Sequence, residues 1–281
     1  MIIPSSIEQI FKDNVSGSVT LLKRLTVALE NLLLDTELDP ATFIAYVEHI
    51  RQKMGVFTVI RHFCDELILS HNVSVQQFPG NYLDFIREYK DFWEHAPRFL
   101  LNNLLKKVNL QKKTVMLHSN SDTIKEVFRL YSEKDKSVHF IQTVSAPAEE
   151  GRIQGHDLAL MGFKVTLVAD ALTASMLKRT HLLILGADQV RKSTIINKVG
   201  TLQMVLAAQE FNVPVFVLTE SRKIAKYDSG EEFKDQPRDK TEILRDIVHP
   251  NLTAENFYFE EIPKYMLSGI ITEKEIIDNK R

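Results

Sequence analysis

Three polar stretches each follow a run of apolar residues: His118-Ser119-Asn120-Ser121, Ser145 to Arg152, and Asp188 followed by Asn197-Lys198. Their side chains are those that a hydroxylated, phosphorylated small molecule would need. Asp188 offers a carboxylate for proton exchange. Ser119 and Ser121 offer hydroxyls, Asn120 and Asn197 amides, and Arg152 and Lys198 cations for a phosphate. Taken singly, each has a plainer reading, with Asp188 capping a helix and Lys198 solvated. The recurrence argues for a site, because polar ends of strands in one parallel sheet open on the same crevice. Other chemistries lack support. No GxxxxGK[ST] or GxGxxG occurs, so no nucleotide cofactor is expected. The nine histidines show no metal-ligand spacing, so no metal is expected. Ser119 stands beside His118, but neighbours on a strand point to opposite faces, which argues against a serine-hydrolase relay.

The elements that would carry these stretches change character along the chain. Residues 1–110 read as helical. Val19, Leu22, Leu25, Leu29, Leu32 and Leu33 form one helical stripe, and Asp39-Pro40 is a helix start signal. Phe43, Ile44, Val47 and Ile50 form a second stripe. A third, within 56–70, contains Phe57, Ile60, Phe63, Cys64 and Leu67. Cys64 is therefore expected as a small core residue. A long helix from Asn81 towards Leu105 contains Pro97, and its aromatics, including Trp93, are expected in a core or interface.

The periodicity changes at residues 108–113. Beyond it, short apolar runs (114–118, 138–144, 163–169, 182–185, 213–218) alternate with helical segments. This is the order of a parallel, doubly wound sheet. The expected fold class is α/β, with an N-terminal helical domain (1–110) followed by a Rossmann-like parallel sheet domain (111–281). Residues 226–240 are expected as a flexible surface loop, and 257–259 as a last strand.

A net charge of −2 argues against direct nucleic-acid binding. The single cysteine fits a reducing compartment. No apolar run approaches the length of a membrane span, and the opening residues lack a basic stretch before an apolar core. No membrane association is expected, and the expected location is the cytoplasm.

Four motifs carry a resemblance to a known family. They are Asp13-Asn14-Val15-Ser16-Gly17-Ser18, the run 162–170 (GFKVTLVAD), Gly186-Ala187-Asp188 with Asn197-Lys198-Val199-Gly200-Thr201, and Ile270-Ile271-Thr272-Glu273. Together they resemble the family of the alpha, beta and delta regulatory subunits of initiation factor 2B. That family also contains prokaryotic relatives and the isomerases of methylthioribose 1-phosphate and ribose 1,5-bisphosphate. The resemblance implies a dimer or higher oligomer through the C-terminal domain. It also implies a pocket for a phosphorylated sugar or nucleotide, lined by Asn120, Ser121, Arg152, Asn197 and Lys198.

In the isomerases of that family a cysteine and an aspartate do the chemistry. The aspartate corresponds to Asp188, but Ser119 stands at the cysteine position. A thiol can be tuned to ionise near neutrality, whereas an unassisted hydroxyl cannot. The family's loop arginine is replaced by Ala146, and the loop from Asp188 to Asn197 is about one residue short. The expectation is a non-catalytic protein of the regulatory-subunit type. The alternative is an aldose–ketose isomerase of a sugar 1-phosphate.

Overall fold

A computed structural model of the chain describes residues 3–13, 17–35, 38–55, 57–71, 78–226 and 233–278. Two compact units are present, residues 1–95 and 96–281. The division falls within one long helix, ahead of the change of periodicity at 108–113. The reason is packing: Leu100, Leu101 and Leu104 of that helix belong to the core of the second unit.

The first unit holds helices α1 (Ser5–Phe11), α2 (Ser18–Leu32), α3 (Pro40–Met54), α4 (Thr58–His71) and the start of α5 (Gly80–Lys107). Their apolar stripes meet in one core. Leu22, Leu25 and Leu29 come from α2, Phe43, Val47 and Ile50 from α3, and Ile60, Phe63 and Leu67 from α4. Asp39 caps α3, accepting from the Ala41 and Thr42 N–H groups at 3.0 and 3.1 Å. Cys64 is fully buried, and burial pushes its thiol up to about 12, so it packs as an inert apolar group. Trp93 is nearly buried against the rings of His62 and Tyr89. Asn14 to Ser16, the middle of the first family motif, lie outside the described residues.

The second unit is built on a seven-stranded sheet of order β10-β9-β7-β4-β1-β2-β3. The strands are β1 (Thr114–Leu117), β2 (His139–Thr143), β3 (Lys164–Val168), β4 (Leu182–Leu185), β7 (Val215–Leu218), β9 (Gly269–Ile271) and β10 (Ile276–Asp278). All neighbouring pairs run parallel except β9–β10. Helices α6 (Asp122–Ser132), α7 (Gly151–Leu160), α8 (Thr173–Leu177) and α9 (Thr201–Glu210) connect the strands, and a short α10 (Thr241–Leu244) follows β7. The central strands of the sheet are buried on both faces, as a crossover-built parallel sheet requires, while the edge strands β3 and β10 are partly exposed. Val115, Leu117, Phe140, Leu182 and Ile184 enter one core, and Met116, Ile141, Leu183 and Leu185 the other.

A second, antiparallel sheet departs from the sequence expectation. It contains β5 (Gln189–Val190), β6 (Thr194–Lys198) and β8 (Phe259–Pro263), in the order β5-β6-β8. Asn197 and Lys198 lie at the end of β6, just ahead of α9. The run at 257–259 feeds β8 rather than the last strand. The described part of 226–240 is an irregular, largely exposed segment, pinned to the fold at two points. Asp235 Oδ2 accepts from the N–H groups of Tyr258 and Phe259 at 2.7 and 2.9 Å, and the Arg238 N–H donates to the Asn256 carbonyl at 2.8 Å. Residues 227–232 lie outside the described residues.

Phe140 is fully buried, with ring contacts to Phe128 at 4.6 Å and Phe163 at 5.1 Å between centroids. Phe140→Ala is expected to cost about 3–5 kcal/mol of stability, by lost burial and the cavity left behind. The check is the midpoint of urea denaturation, followed by circular dichroism.

Candidate functional site

Strands β1 and β4 are neighbours, but the chain leaves them in opposite directions. From β1 it proceeds to β2 and β3, and from β4 to β7. This is the switch point of the sheet, where loops diverge and leave a crevice beyond the strand ends. Ser119 follows β1 and Asp188 follows β4. The register pairs Leu117 with Ile184, which brings the two loops side by side. They approach closely at Gly186, where a Cβ would lie 3.1 Å from Ser121 Oγ.

Ser119 turns the chain from β1 into α6 with φ of 64°, a left-handed conformation uncommon for a residue with a Cβ. Its N–H donates to Ser145 Oγ at 2.8 Å. Its hydroxyl donates to Glu150 Oε1 at 2.9 Å. The same carboxylate oxygen takes the Lys198 ammonium, also at 2.9 Å. Lys198 is 3% exposed and sits 4.1 Å from the centroid of the Tyr258 ring. A buried glutamine chain fixes the turn. Gln142 donates to the Ser119 carbonyl, Gln154 donates to Gln142, and the Ser121 N–H donates to Gln154, at 3.0, 2.8 and 2.8 Å.

His118 fastens the wall behind this group. Its Nε2 lies 2.9 Å from the Val199 carbonyl, an oxygen that can only accept, so that nitrogen carries the proton. Nδ1 then accepts, and Thr143 Oγ1 stands 2.7 Å away. The ring packs against Gly200, whose φ of 96° and close approach (a Cβ would stand 3.2 Å from the ring) leave no room for a side chain. The Ser145 loop is held by Asp170, which accepts from the N–H groups of Ser145 and Ala146 at 2.9 and 2.8 Å.

Asp188 lies in the loop after β4 and is open to solvent on one side, while protein packed around its carboxyl displaces part of its water. The loss of surrounding water pushes its carboxyl above the usual range. Lys223 and Lys198 pull it back, while Glu150 and Asp235 push it further up. Lys223 is buried, and its ammonium donates to the Ala187 carbonyl at 2.9 Å.

The structure thus brings Ser119, Lys198 and Asp188 into one electrostatic group. Asn120 follows Ser119, and its Oδ1 is buried without a hydrogen-bond partner. Ser121 and Asn197 have structural duties. The Ser121 hydroxyl accepts from the Ile124 N–H at the start of α6, and Asn197 donates to Thr201 Oγ1 at 3.0 Å. Arg152 is not tied into the group: its side chain is half exposed and its Nε donates to Glu149 at 2.6 Å. Being one turn from Glu149, it finds a local partner.

Sequence reading missed Glu150 and Lys223. Nothing in the pair Glu149-Glu150 marks which carboxylate turns inward. Lys223 had a usable signal, since residues 219–223 are a fourth polar stretch after a buried strand, β7. Among the described residues no cluster of three metal-ligating side chains occurs, and no helix is long and apolar enough to cross a membrane. A groove bordered by Val199, Phe233, Asp235, Phe257 and Phe259 lies beside β6 and β8.

Comparison with known proteins adds to this geometry. The Initiation factor 2 subunit family matches residues 41–279. A ribose 1,5-bisphosphate isomerase of Archaeoglobus fulgidus is 30% identical over 193 residues, 67% of this chain and 62% of that protein, so the match spans about three fifths of the relative. The solved translation initiation factor eIF-2B of Pyrococcus horikoshii OT3 superposes with a TM-score of 0.81 at 22% identity, covering 98% of this chain and 96% of that one. A chain of the tetrameric eIF2B-beta2-delta2 complex from C. thermophilum matches with a TM-score of 0.70 at 16% identity, over 98% and 90%. These two similarities speak to the fold.

The His118 contacts predict a pH dependence. Burial holds its pKa below the ordinary 6.5, against the Val199 carbonyl, Asp170 and Glu150, which favour the charged ring, and with Lys198, which disfavours it. A depressed folded pKa means that the unfolded chain takes up the proton first. The stabilisation is therefore complete above about pH 6.5 and is lost as pH falls towards the folded value. Denaturant titrations at pH 7.5 and 5.5 should show lower stability at 5.5, and the difference should shrink in His118→Gln.

Proposed function

The chain belongs to the Initiation factor 2 subunit family, and within it we propose that it is a non-catalytic protein of the regulatory-subunit type. It works as an oligomer and binds a small hydroxylated metabolite at the β1–β4 crevice. The observation that carries this reading is the shared carboxylate of Glu150. The hydroxyl at the isomerases' cysteine position donates to Glu150 Oε1, and the ammonium of Lys198 is bound to the same oxygen. An aldose–ketose isomerisation needs a group that takes a proton and one that returns it. Ser119 is a poor proton acceptor, and the carboxylate beside it is engaged by a cation.

The phosphorylated sugar or nucleotide implied by the sequence resemblance would call on Lys198, Arg152, Asn197, Asn120 and Ser121. The paired cations weaken its phosphate contacts. Oligomer formation draws support from the fold shared with a chain of a solved tetramer. A role in translation, and residence in the cytoplasm, are part of the same proposal.

One observation favours the alternative, isomerisation of ribose 1,5-bisphosphate or methylthioribose 1-phosphate. The raised pKa of Asp188 brings its carboxyl closer to the range where an acid/base group works. The two readings separate on incubation with both substrates. No ketose product is expected. Turnover that disappears in Asp188→Asn would overturn the non-catalytic reading. Light scattering at micromolar protein should give a dimer or a larger multiple of the chain mass, and a monomer would refute the oligomer.

A further inference from the structure

We infer that Glu150 sets the ligand class of the β1–β4 crevice: it keeps phosphate out by occupying Lys198, and the crevice takes a neutral, hydroxyl-rich molecule such as a free pentose or a nucleoside. This deepens the regulatory reading above and rests on it.

Lys198 is the buried cation next to Ser119, and its charge is already met by Glu150 at 2.9 Å and by the face of Tyr258. A phosphate reaching it would displace a carboxylate that also holds Ser119. Lys223, the other buried cation near Asp188, points its ammonium at the Ala187 carbonyl. The charges that bear on Asp188 include two carboxylates, Glu150 and Asp235, beside these two lysines, so with Asp188 itself the acids outnumber the bases. A dianion entering this field is opposed.

The hydrogen-bonding capacity points the same way. Glu150 Oε2 and Asn120 Oδ1 are both buried without a donor. Buried acceptors left unpaired are costly, and both flank Ser119, one in sequence and one through its twin oxygen. A ligand that supplies O–H donors satisfies them, and Asp188 can accept a further one. The dianionic phosphate group of an ester, which carries no O–H donor, satisfies neither.

The test is ligand-observed NMR or calorimetry on the full chain, with D-ribose, adenosine, ribose 5-phosphate and inorganic phosphate as probes. The wild-type protein is expected to bind ribose or adenosine at least tenfold more tightly than ribose 5-phosphate. In Glu150→Gln, Lys198 is released and ribose 5-phosphate should gain at least tenfold relative to ribose. Glu150→Asp, which keeps the charge on a shorter arm, should give an intermediate ratio and serves if the glutamine variant does not fold. A wild-type preference for ribose 5-phosphate, no binding of either neutral probe, or an unchanged ratio in the variants would overturn the inference. Isomerase turnover would sink the regulatory reading instead, so the two failures are distinct.

Discussion

An ammonium removed from water must be met by an opposite charge or it destabilises the fold that buries it. Lys198 imposes that constraint here. It ends β6, lies under the Tyr258 ring and is nearly inaccessible, so the structure supplies Glu150 from the start of α7. The carboxylate then also fixes the Ser119 hydroxyl, and with it the turn out of β1. One ion pair thereby joins the small antiparallel sheet, the loop before α7 and the switch point of the large sheet.

The surrounding architecture serves to hold these parts still. The parallel strands bring Ser119 and Asp188 to adjacent positions because β1 and β4 are neighbours whose connections diverge. His118, clamped between Thr143 and the Val199 carbonyl, links the end of β1 to the entrance of α9. Asp170 ties down the Ser145 loop through two N–H groups. The same contacts that shape a crevice also consume its polar groups. In this chain little is left uncommitted beyond Asp188 and the orphaned oxygens of Glu150 and Asn120.

Much of this frame was legible in the residues. The stripes around Leu25, Phe43 and Phe63 gave helices because a 3.6-residue period is hard to mistake. The runs around Val115, Phe140 and Leu183 gave buried strands because both of their faces are apolar. Asp188 and Ser119 could be gathered because strand ends in a parallel sheet share an edge, whereas Lys198 reaches the same group from the end of β6 in the antiparallel sheet. The antiparallel sheet escaped because β5 has only two residues, β6 runs from Thr194 into the polar pair Asn197-Lys198 and so lacks a continuous apolar run, and its pairing of Ile196 with Glu261 spans a long stretch of sequence. Arg152 drew attention as a cation in a polar loop, but its conformation is decided by Glu149 one turn away. Glu150 escaped because its role depends on Lys198, a partner that only the folded chain brings near. Periodicity reports what each segment buries against, whereas pairing of distant charges leaves no local trace.

The central claim is that Glu150 and Lys198 act as one unit. A double-mutant cycle of Glu150→Gln and Lys198→Met, read by urea denaturation, tests it most directly. The account predicts a coupling energy of about 1–3 kcal/mol, as for charges that share a buried contact. Single-variant effects that add to within about 0.5 kcal/mol would mean that the two groups are independent, and the account of a closed cation site would be contradicted.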